Sequence, residues 1–271
     1  MKLLIVAPHQ DDEILGACGL IQKCRHRGVD ISVLFATNGD RFGFDIAQQR
    51  YDESRRALAE LGVSEDHIFY MGFGDTGMSF ERSFLMRLRV LPDNQSAASY
   101  VSSRTYHPAS GRTVRVLRTG NEGDMKRESF LSDLKWVIEN RCPDFVLGPS
   151  VWDRHGDHAA LATFLKEVLP SSIPYTSYLI HGGDDTCWPQ REPEVFEKPP
   201  VLPQHIWAQR ITTRLSEEQQ REKRRLIMYF ATQIKNDANG FLTSFAKQEE
   251  LFFPETTSSA NSKDIFLMEI R

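Results

Sequence analysis

Residues 2–7 are apolar at consecutive rather than alternate positions, the pattern of a parallel strand buried on both faces. Apolar positions then recur at helical spacing over about 13–27, and Gly28 supplies a helix stop. Residues 31–37 repeat the buried-strand pattern and end in Asn38-Gly39-Asp40. An amphipathic helix follows at 45–61, closed by Gly62. The same reading gives a strand at 67–72, a helix at 127–140, a strand at 144–148, a helix at about 157–168 and a strand at 175–180. Strands alternating with helices at this spacing predict a single α/β domain over 1–271, with a doubly wound, mostly parallel sheet and helices on both faces.

Residues 79–125 interrupt the rhythm. They are rich in Arg, Ser, Gly and Tyr, with weak alternation over 113–117, and predict an inserted cap carrying a hairpin. Many of the prolines fall in 184–205, expected as a long ordered loop. A late helix over 216–234 opens on a capping box, Ser216 with Gln219. The final dozen residues predict a terminal strand, or an irregular stretch around 256–262.

Composition narrows the class of protein. Hydrophobic residues at 40% and charged residues at 26% are ordinary for a globular enzyme, and 33 Lys+Arg against 37 Asp+Glu gives a net charge of −4. That balance offers no general attraction to nucleic acid or to an anionic membrane. The cysteines Cys18, Cys24, Cys142 and Cys187 form no CxxC pair, and Cys18 and Cys142 sit in apolar runs that suggest buried thiols. The first apolar run stops after about six residues, short of a secretory h-region, and no stretch approaches the ~20 residues of a membrane span. A cytoplasmic protein is the expectation.

The carboxyl ends of the strands carry the chemistry. The first reads Pro8-His9-Gln10-Asp11-Asp12-Glu13, where a dinucleotide-binding chain would carry glycines. Two adjacent carboxylates there repel phosphate and suit a divalent cation. His9 and Asp12, three apart across a strand-to-helix turn, can reach one ion. The fourth strand ends in Trp152-Asp153-Arg154-His155-Gly156-Asp157-His158, and His155 and His158 can share one helix face. Imidazole and carboxylate donors are the ligands of catalytic zinc, which keeps a position for water and lowers that water's pKa to about 7. Asp11, beside a ligand but directed elsewhere, is the natural base.

These two motifs, in this order, resemble the PIG-L/LmbE-like zinc deacetylases, whose signatures are an (A/P)HxDDE turn and a later HxDH. Thr37-Asn38-Gly39-Asp40, Arg50 with Glu53, Met71-Gly72-Phe73-Gly74-Asp75, Tyr178-Leu179-Ile180-His181 and Trp188-Pro189 extend the likeness over roughly 1–78 and 127–190. The resemblance implies a Rossmann-like fold and one Zn2+ per chain on His9, Asp12 and His158; such a His/carboxylate set also accommodates Fe2+. It further implies that Asp11 is the general base and that His155 stabilises the oxyanion or protonates the departing amine. Asp157 would then hold and tune His155. Arg50 and Asp75 match positions that contact the sugar in family members, His181 at a strand end is a candidate to line the pocket or a structural histidine, and a homo-oligomer is compatible with the family. The activity implied is removal of an N-acetyl group from an amino sugar, glycoside or similar small molecule. Gln10 and Gly156 stand where many members have proline.

Local readings compete at several positions. Arg50 could pair with Glu53 on the helix surface, Asp40 could serve its own turn, and Trp152 or Trp188 could fill space under a loop. The run 112–118 reads as a solvated strand face and 221–225 as a solvated helix face. Another metal-dependent amidase or a phosphoesterase on the same core is an alternative, as is a non-catalytic sugar-binding homologue. A phosphoesterase commonly holds two ions about 3.5–4 Å apart and needs more ligands than His9, Asp12, His155 and His158 supply.

Overall fold

A computed structural model describes residues 1–183, 188–192 and 194–255. Its elements run β1 (Lys2–Ala7), α1 (Asp12–His26), β2 (Asp30–Thr37), α2 (Phe44–Glu60), β3 (Ile68–Phe73), α3 (Phe84–Val90), α4 (Val114–Thr119) and α5 (Arg127–Arg141). They continue through β4 (Phe145–Pro149), α6 (Gly156–Val168), β5 (Tyr175–Tyr178), α7 (Gln204–Trp207), β6 (Ile211–Arg214), α8 (Glu217–Ile227), α9 (Ala231–Ile234) and β7 (Glu249–Pro254). The strands form a seven-stranded sheet ordered β3-β2-β1-β4-β5-β7-β6. From β3 to β5 they run parallel. The last two are antiparallel additions at the β5 edge, β7 beside β5 and β6 beside β7.

The consecutive apolar positions of β1 explain the layering. Leu3, Ile5 and Ala7 pack into one buried cluster with α1 and α8 residues, whereas Leu4 and Val6 enter the other with α5 and α6 residues. Each face of the sheet is thus covered by helices. The chain leaves β1 toward β2 and β3 on one side and returns to β4 on the other. The β1/β4 boundary is therefore the switch point, and the carboxyl ends of these two strands are neighbours.

Several expectations need correction. Residues 79–125 hold the short helices α3 and α4 rather than a hairpin, and their antiparallel pairing is confined to isolated bridges, Ala97 with Met125 and Arg104 with Asp124. The alternation at 113–117 belongs to α4: the Thr113 side chain accepts from Val116 N, and Gly120 ends the helix in a left-handed conformation. Arg115 and Arg118 are not a solvated strand face but pair with buried Asp133. Cys142 is exposed at the C-cap of α5, where its positive φ of 46° turns the chain out of the helix; Cys18 and Cys24 are buried. The helix expected over 216–234 is split into α8, opened by the anticipated Ser216 capping box, and α9. Within 221–225, Lys223 is fully buried and ion-paired with Glu250 at 2.7 Å. Helical spacing puts it on the same inward face as Leu226 and Ile227. Cys187 and residues 256–262 lie outside the described part.

Candidate active site

The turn after β1 is fastened to the end of β2. Thr37 donates to Pro8 O through both its backbone N (3.1 Å) and Oγ1 (2.8 Å), and Gln10 Nε2 donates to Thr37 O at 2.8 Å. A proline at position 10 would lack that last bond, so this chain's departure has a local use. Asp11 sits at φ 142°, an unusual conformation for a residue with a Cβ. Its N–H donates to Glu13 Oε2 at 2.9 Å and its carbonyl accepts from Ile14 and Leu15 N–H. This backbone sends the adjacent carboxylates of Asp11 and Asp12 in different directions.

After β4, Asp153 organises the second loop. Its Oδ1 accepts from His155 N at 2.8 Å, and its Oδ2 accepts from Ile180 N at 3.0 Å and His181 N at 3.1 Å. His155 then caps α6, with Nδ1 accepting from Asp157 N at 3.2 Å. Gly156 N donates to Met78 O at 2.8 Å, and a Cβ there would come within 2.0 Å of Ser83 Oγ. Glycine at this position is thus explained by the close approach of the inserted segment; proline would lose the donor and clash.

The two loops bring three donor atoms together. His9 Nδ1 lies 3.5 Å from Asp12 Oδ2, His158 Nε2 lies 3.3 Å from the same oxygen, and the two ring nitrogens are 3.3 Å apart. A tetrahedral ion with bonds of about 2.0–2.2 Å separates its donors by about 3.3–3.6 Å, so the triangle fits a zinc-sized ion. All three residues are at least 95% buried. Each histidine meets a carboxylate through its other nitrogen: His9 Nε2 faces Asp157 Oδ2 at 3.3 Å, and His158 Nδ1 faces Asp153 Oδ2 at 3.0 Å. Such pairs fix which nitrogen is left for a metal and raise its basicity. Burial opposes charge on His9, but Asp12, Asp157 and Asp75 outweigh it and raise its pKa well above the usual imidazole range. Burial likewise pushes Asp153 up, and the His158 and His181 rings prevail, holding it below the usual carboxylate range.

The remaining anticipated residues surround this triangle. Asp11 receives Arg50 Nη2 at 3.1 Å, and the same guanidinium nitrogen donates to Gln10 O at 2.9 Å. Arg50 does not pair with Glu53, which accepts instead from Thr232 N and Oγ1. Burial raises the Asp11 pKa to about 6, the Arg50 charge opposing and the Asp12 charge adding. The His155 ring centroid lies 4.7 Å from that of His9; burial and the neighbouring cationic groups lower its pKa well below the usual value. Asp157 holds the His155 ring through its backbone N–H alone, not through its carboxylate. The Asp157 carboxylate instead reaches His9 and accepts from Leu85 N at 2.6 Å, because entry into α6 turns it toward the β1 loop. Asp75 approaches His9 Nε2 at 3.9 Å, and His181 stacks on Phe241 with centroids 5.3 Å apart.

Asp40 is more than a turn residue: its carboxylate accepts from Asp75 N, Ser99 Oγ and Tyr106 Oη, fastening the inserted segment to the site. Trp188 is buried against Phe196 and Phe245. Two features escaped the sequence reading. Asp153 was visible only as a carboxylate two residues before His155. The segment from Gln233 to Leu242 lines the cavity with His9, Asp11, His155 and His181, and no local motif marked it. Among the described residues no helix is long and apolar enough to cross a membrane.

Comparison with known proteins follows the same lines. Residues 4–169 match the PIG-L family model, described as GlcNAc-PI de-N-acetylase. The diacetylchitobiose deacetylase of Thermococcus kodakarensis is 33% identical over 88 residues, which cover 30% of this chain and only 32% of that protein. A deacetylase of the teicoplanin biosynthesis pathway superposes with a TM-score of 0.56 at 15% identity, over 96% of this chain and 100% of that one. A 4-carboxy-2-hydroxymuconate hydratase from Pseudomonas putida gives a TM-score of 0.51 at 14% identity, over 97% and 98%. Likeness at this identity concerns the fold alone, and the named reactions of these two structures differ. Because the family match runs through more than half of the sequence and contains both halves of the donor triangle, the chain belongs to the PIG-L family.

Proposed function

We propose that this protein is a zinc-dependent hydrolase that removes the N-acetyl group of an amino sugar or its glycoside. The observation carrying this reading is the donor triangle of His9, Asp12 and His158 with a carboxylate behind each imidazole. His9, Asp12 and His158 would hold the ion, which would supply Lewis acidity toward a water, whose pKa zinc sites lower to about 7, and toward an amide carbonyl.

The chain's own groups do the rest. Asp11, directed away from the triangle and held by Arg50, accepts a proton from the attacking water; its raised pKa keeps it basic enough near neutrality. His155 faces the same cavity. Its Nδ1 accepts the helix-capping bond from Asp157 N, so in the neutral ring Nε2 carries the hydrogen. That arrangement suits donation of a hydrogen bond to a developing oxyanion. Asp75 and His181 line the cavity where the sugar would bind.

A two-ion phosphoesterase is less well supported. The other His/carboxylate groupings, His9 with Asp75 and Asp157, and His158 with Asp153 and His181, reuse the two triangle histidines. In each, the imidazole nitrogen facing away from the triangle already meets a carboxylate.

The test is acetate release from N-acetylglucosamine, its glycosides and diacetylchitobiose, with zinc-loaded and chelator-treated protein. Chelator-sensitive release is expected. Equal release after complete metal removal would overturn the zinc assignment, and no release across the panel by zinc-loaded protein would overturn the sugar assignment. Metal analysis of the purified protein separates zinc from iron.

A further inference from the structure

The groups assigned to chemistry fill only part of the cavity wall. Further parts of the wall come from the turn after β2, with Arg41 and Phe42, and from α9 and the segment after it, with Gln233, Asn236 and Asn239. Phe42 is 68% exposed. An exposed aromatic on a mobile tip would mean little, but this turn is pinned on either side. Asp40 is fully buried and bonded to Asp75, Ser99 and Tyr106, and Gly43 N closes the turn by donating to Asp40 O at 3.0 Å. The Arg41 guanidinium lies over the Phe42 ring, 5.1 Å from its centroid. The ring is therefore presented to solvent at the mouth of the site by a rigid support.

The segment after α9 is held in a similar way. Asp237 accepts from Phe241 N at 2.6 Å and Leu242 N at 2.9 Å, fixing the loop that displays Asn239. Gln233 Nε2 donates to Thr232 Oγ1 at 3.1 Å and Asn236 Nδ2 to Thr232 O at 3.5 Å, each keeping its carboxamide oxygen and a second N–H for a ligand. This wall lies beyond residues 4–169, the stretch shared with the family model. The cavity measures about 340 Å³, at the lower end of the ~300–1,000 Å³ of small-molecule sites. A cavity of this size has room for a single pyranose ring, so a longer substrate would have to extend across its rim.

We propose that Phe42, braced by Arg41, and the carboxamides of Gln233, Asn236 and Asn239 form a distal subsite that selects substrates carrying a second, uncharged sugar ring beyond the one deacetylated. The aromatic face suits the C–H face of a pyranose, and carboxamides both donate to and accept from its hydroxyls. The proposal rests on the amino-sugar reading above, and its test includes binding as well as turnover.

The probes are N-acetylglucosamine and N,N′-diacetylchitobiose, offered to the full chain. Titration calorimetry on wild type, Phe42→Ala and Phe42→Tyr gives the ratio of the two affinities, and acetate release gives the ratio of kcat/KM. Wild type is expected to prefer the disaccharide by at least tenfold. Phe42→Ala should collapse that ratio toward one, and Phe42→Tyr should restore it. A wild type that binds both sugars equally, or neither, overturns the subsite. So does a Phe42→Ala variant that weakens both in proportion. Disaccharide preference in binding without acetate release from either sugar would leave the subsite standing and overturn the hydrolase reading instead.

Discussion

Asp153 contributes no donor atom to the triangle and does not line the cavity, yet its replacement should weaken metal binding, because it backs the His158 ring. Its carboxylate accepts from four donors, three of them buried: His155 N at 2.8 Å through Oδ1, and His158 Nδ1, Ile180 N and the half-buried His181 N at 3.0–3.1 Å through Oδ2. Asp153→Asn keeps the shape but has one acceptor oxygen and one NH2 group. In the better orientation the oxygen keeps the three-donor side, and the NH2 confronts His155 N–H. One buried donor then loses its partner, at a cost of about 1–3 kcal/mol. In a chain of this size that lowers Tm by a few degrees, at roughly 2–4 °C per kcal/mol.

The larger effect falls on His158. A neutral amide oxygen polarises its ring less than a carboxylate does, and loss of such a carboxylate typically weakens a metal site 10–100-fold. That is about 1.4–2.8 kcal/mol, and the zinc-induced rise in unfolding free energy at a fixed excess of zinc should shrink by the same amount. Competition with a chromophoric chelator reads the affinity, and urea unfolding with and without zinc reads the stabilisation. Asp75→Asn is the control, since Asp75 approaches His9 Nε2 only at 3.9 Å and leaves the Asp157 contact in place. Zinc binding within twofold of wild type in a folded Asp153→Asn protein would refute the assignment of Asp153 as the support of a ligand.

Other substitutions separate the remaining roles. Asp11→Asn should retain zinc and lose about 10²–10⁴ in kcat; wild-type turnover on N-acetylglucosamine or diacetylchitobiose would remove Asp11 as base. Asp157→Asn should weaken zinc binding by about 10–100-fold, because its carboxylate backs His9; unchanged chelator competition would count against this. Lys223→Met strands the Glu250 carboxylate, which also accepts from Gly19 and Leu20 N–H, and should cost about 3–5 kcal/mol in urea unfolding. Lys223→Met with Glu250→Leu should recover part of that loss, and an additive double variant would argue against a coupled pair.

Both halves of the donor triangle were legible because each is local. His9 and Asp12 belong to one turn, His155 and His158 to one helix start, and runs of consecutive apolar residues located the strands that carry them. What was not legible depended on which distant atom a side chain meets. Asp157 is two residues from His155, so pairing them looked natural, but its partner is 148 residues away in sequence. Lys223 sat in a charged run, yet its spacing to Leu226 and Ile227 placed it inward, and only β7 reveals the carboxylate that receives it. In the inserted segment the alternation at 113–117 outweighed a better signal, a threonine N-cap followed by a glycine stop. The carboxamide wall from α9 onward left no pattern, since an exposed loop needs no periodicity to line a cavity.

The adjacent aspartates show how backbone conformation divides labour between identical side chains. An aspartate preceding a helix ordinarily accepts from N–H groups of the first turn, and Asp11 at the N-cap of α1 could be expected to do so. It makes no such bond. Its φ of 142° turns the carboxylate toward Arg50, while Asp12, one residue on and already helical, joins the donor triangle. Conformations of this kind cost on the order of 1–3 kcal/mol and persist only when their surroundings impose them. Here the surroundings are specific: Glu13 accepts the Asp11 N–H, Ile14 and Leu15 donate to its carbonyl, and Arg50 holds the preceding carbonyl and the carboxylate. The strain is confined to the residue that faces the cavity beside the donor triangle, which is where the proposed hydrolysis calls for a base separate from the ligands.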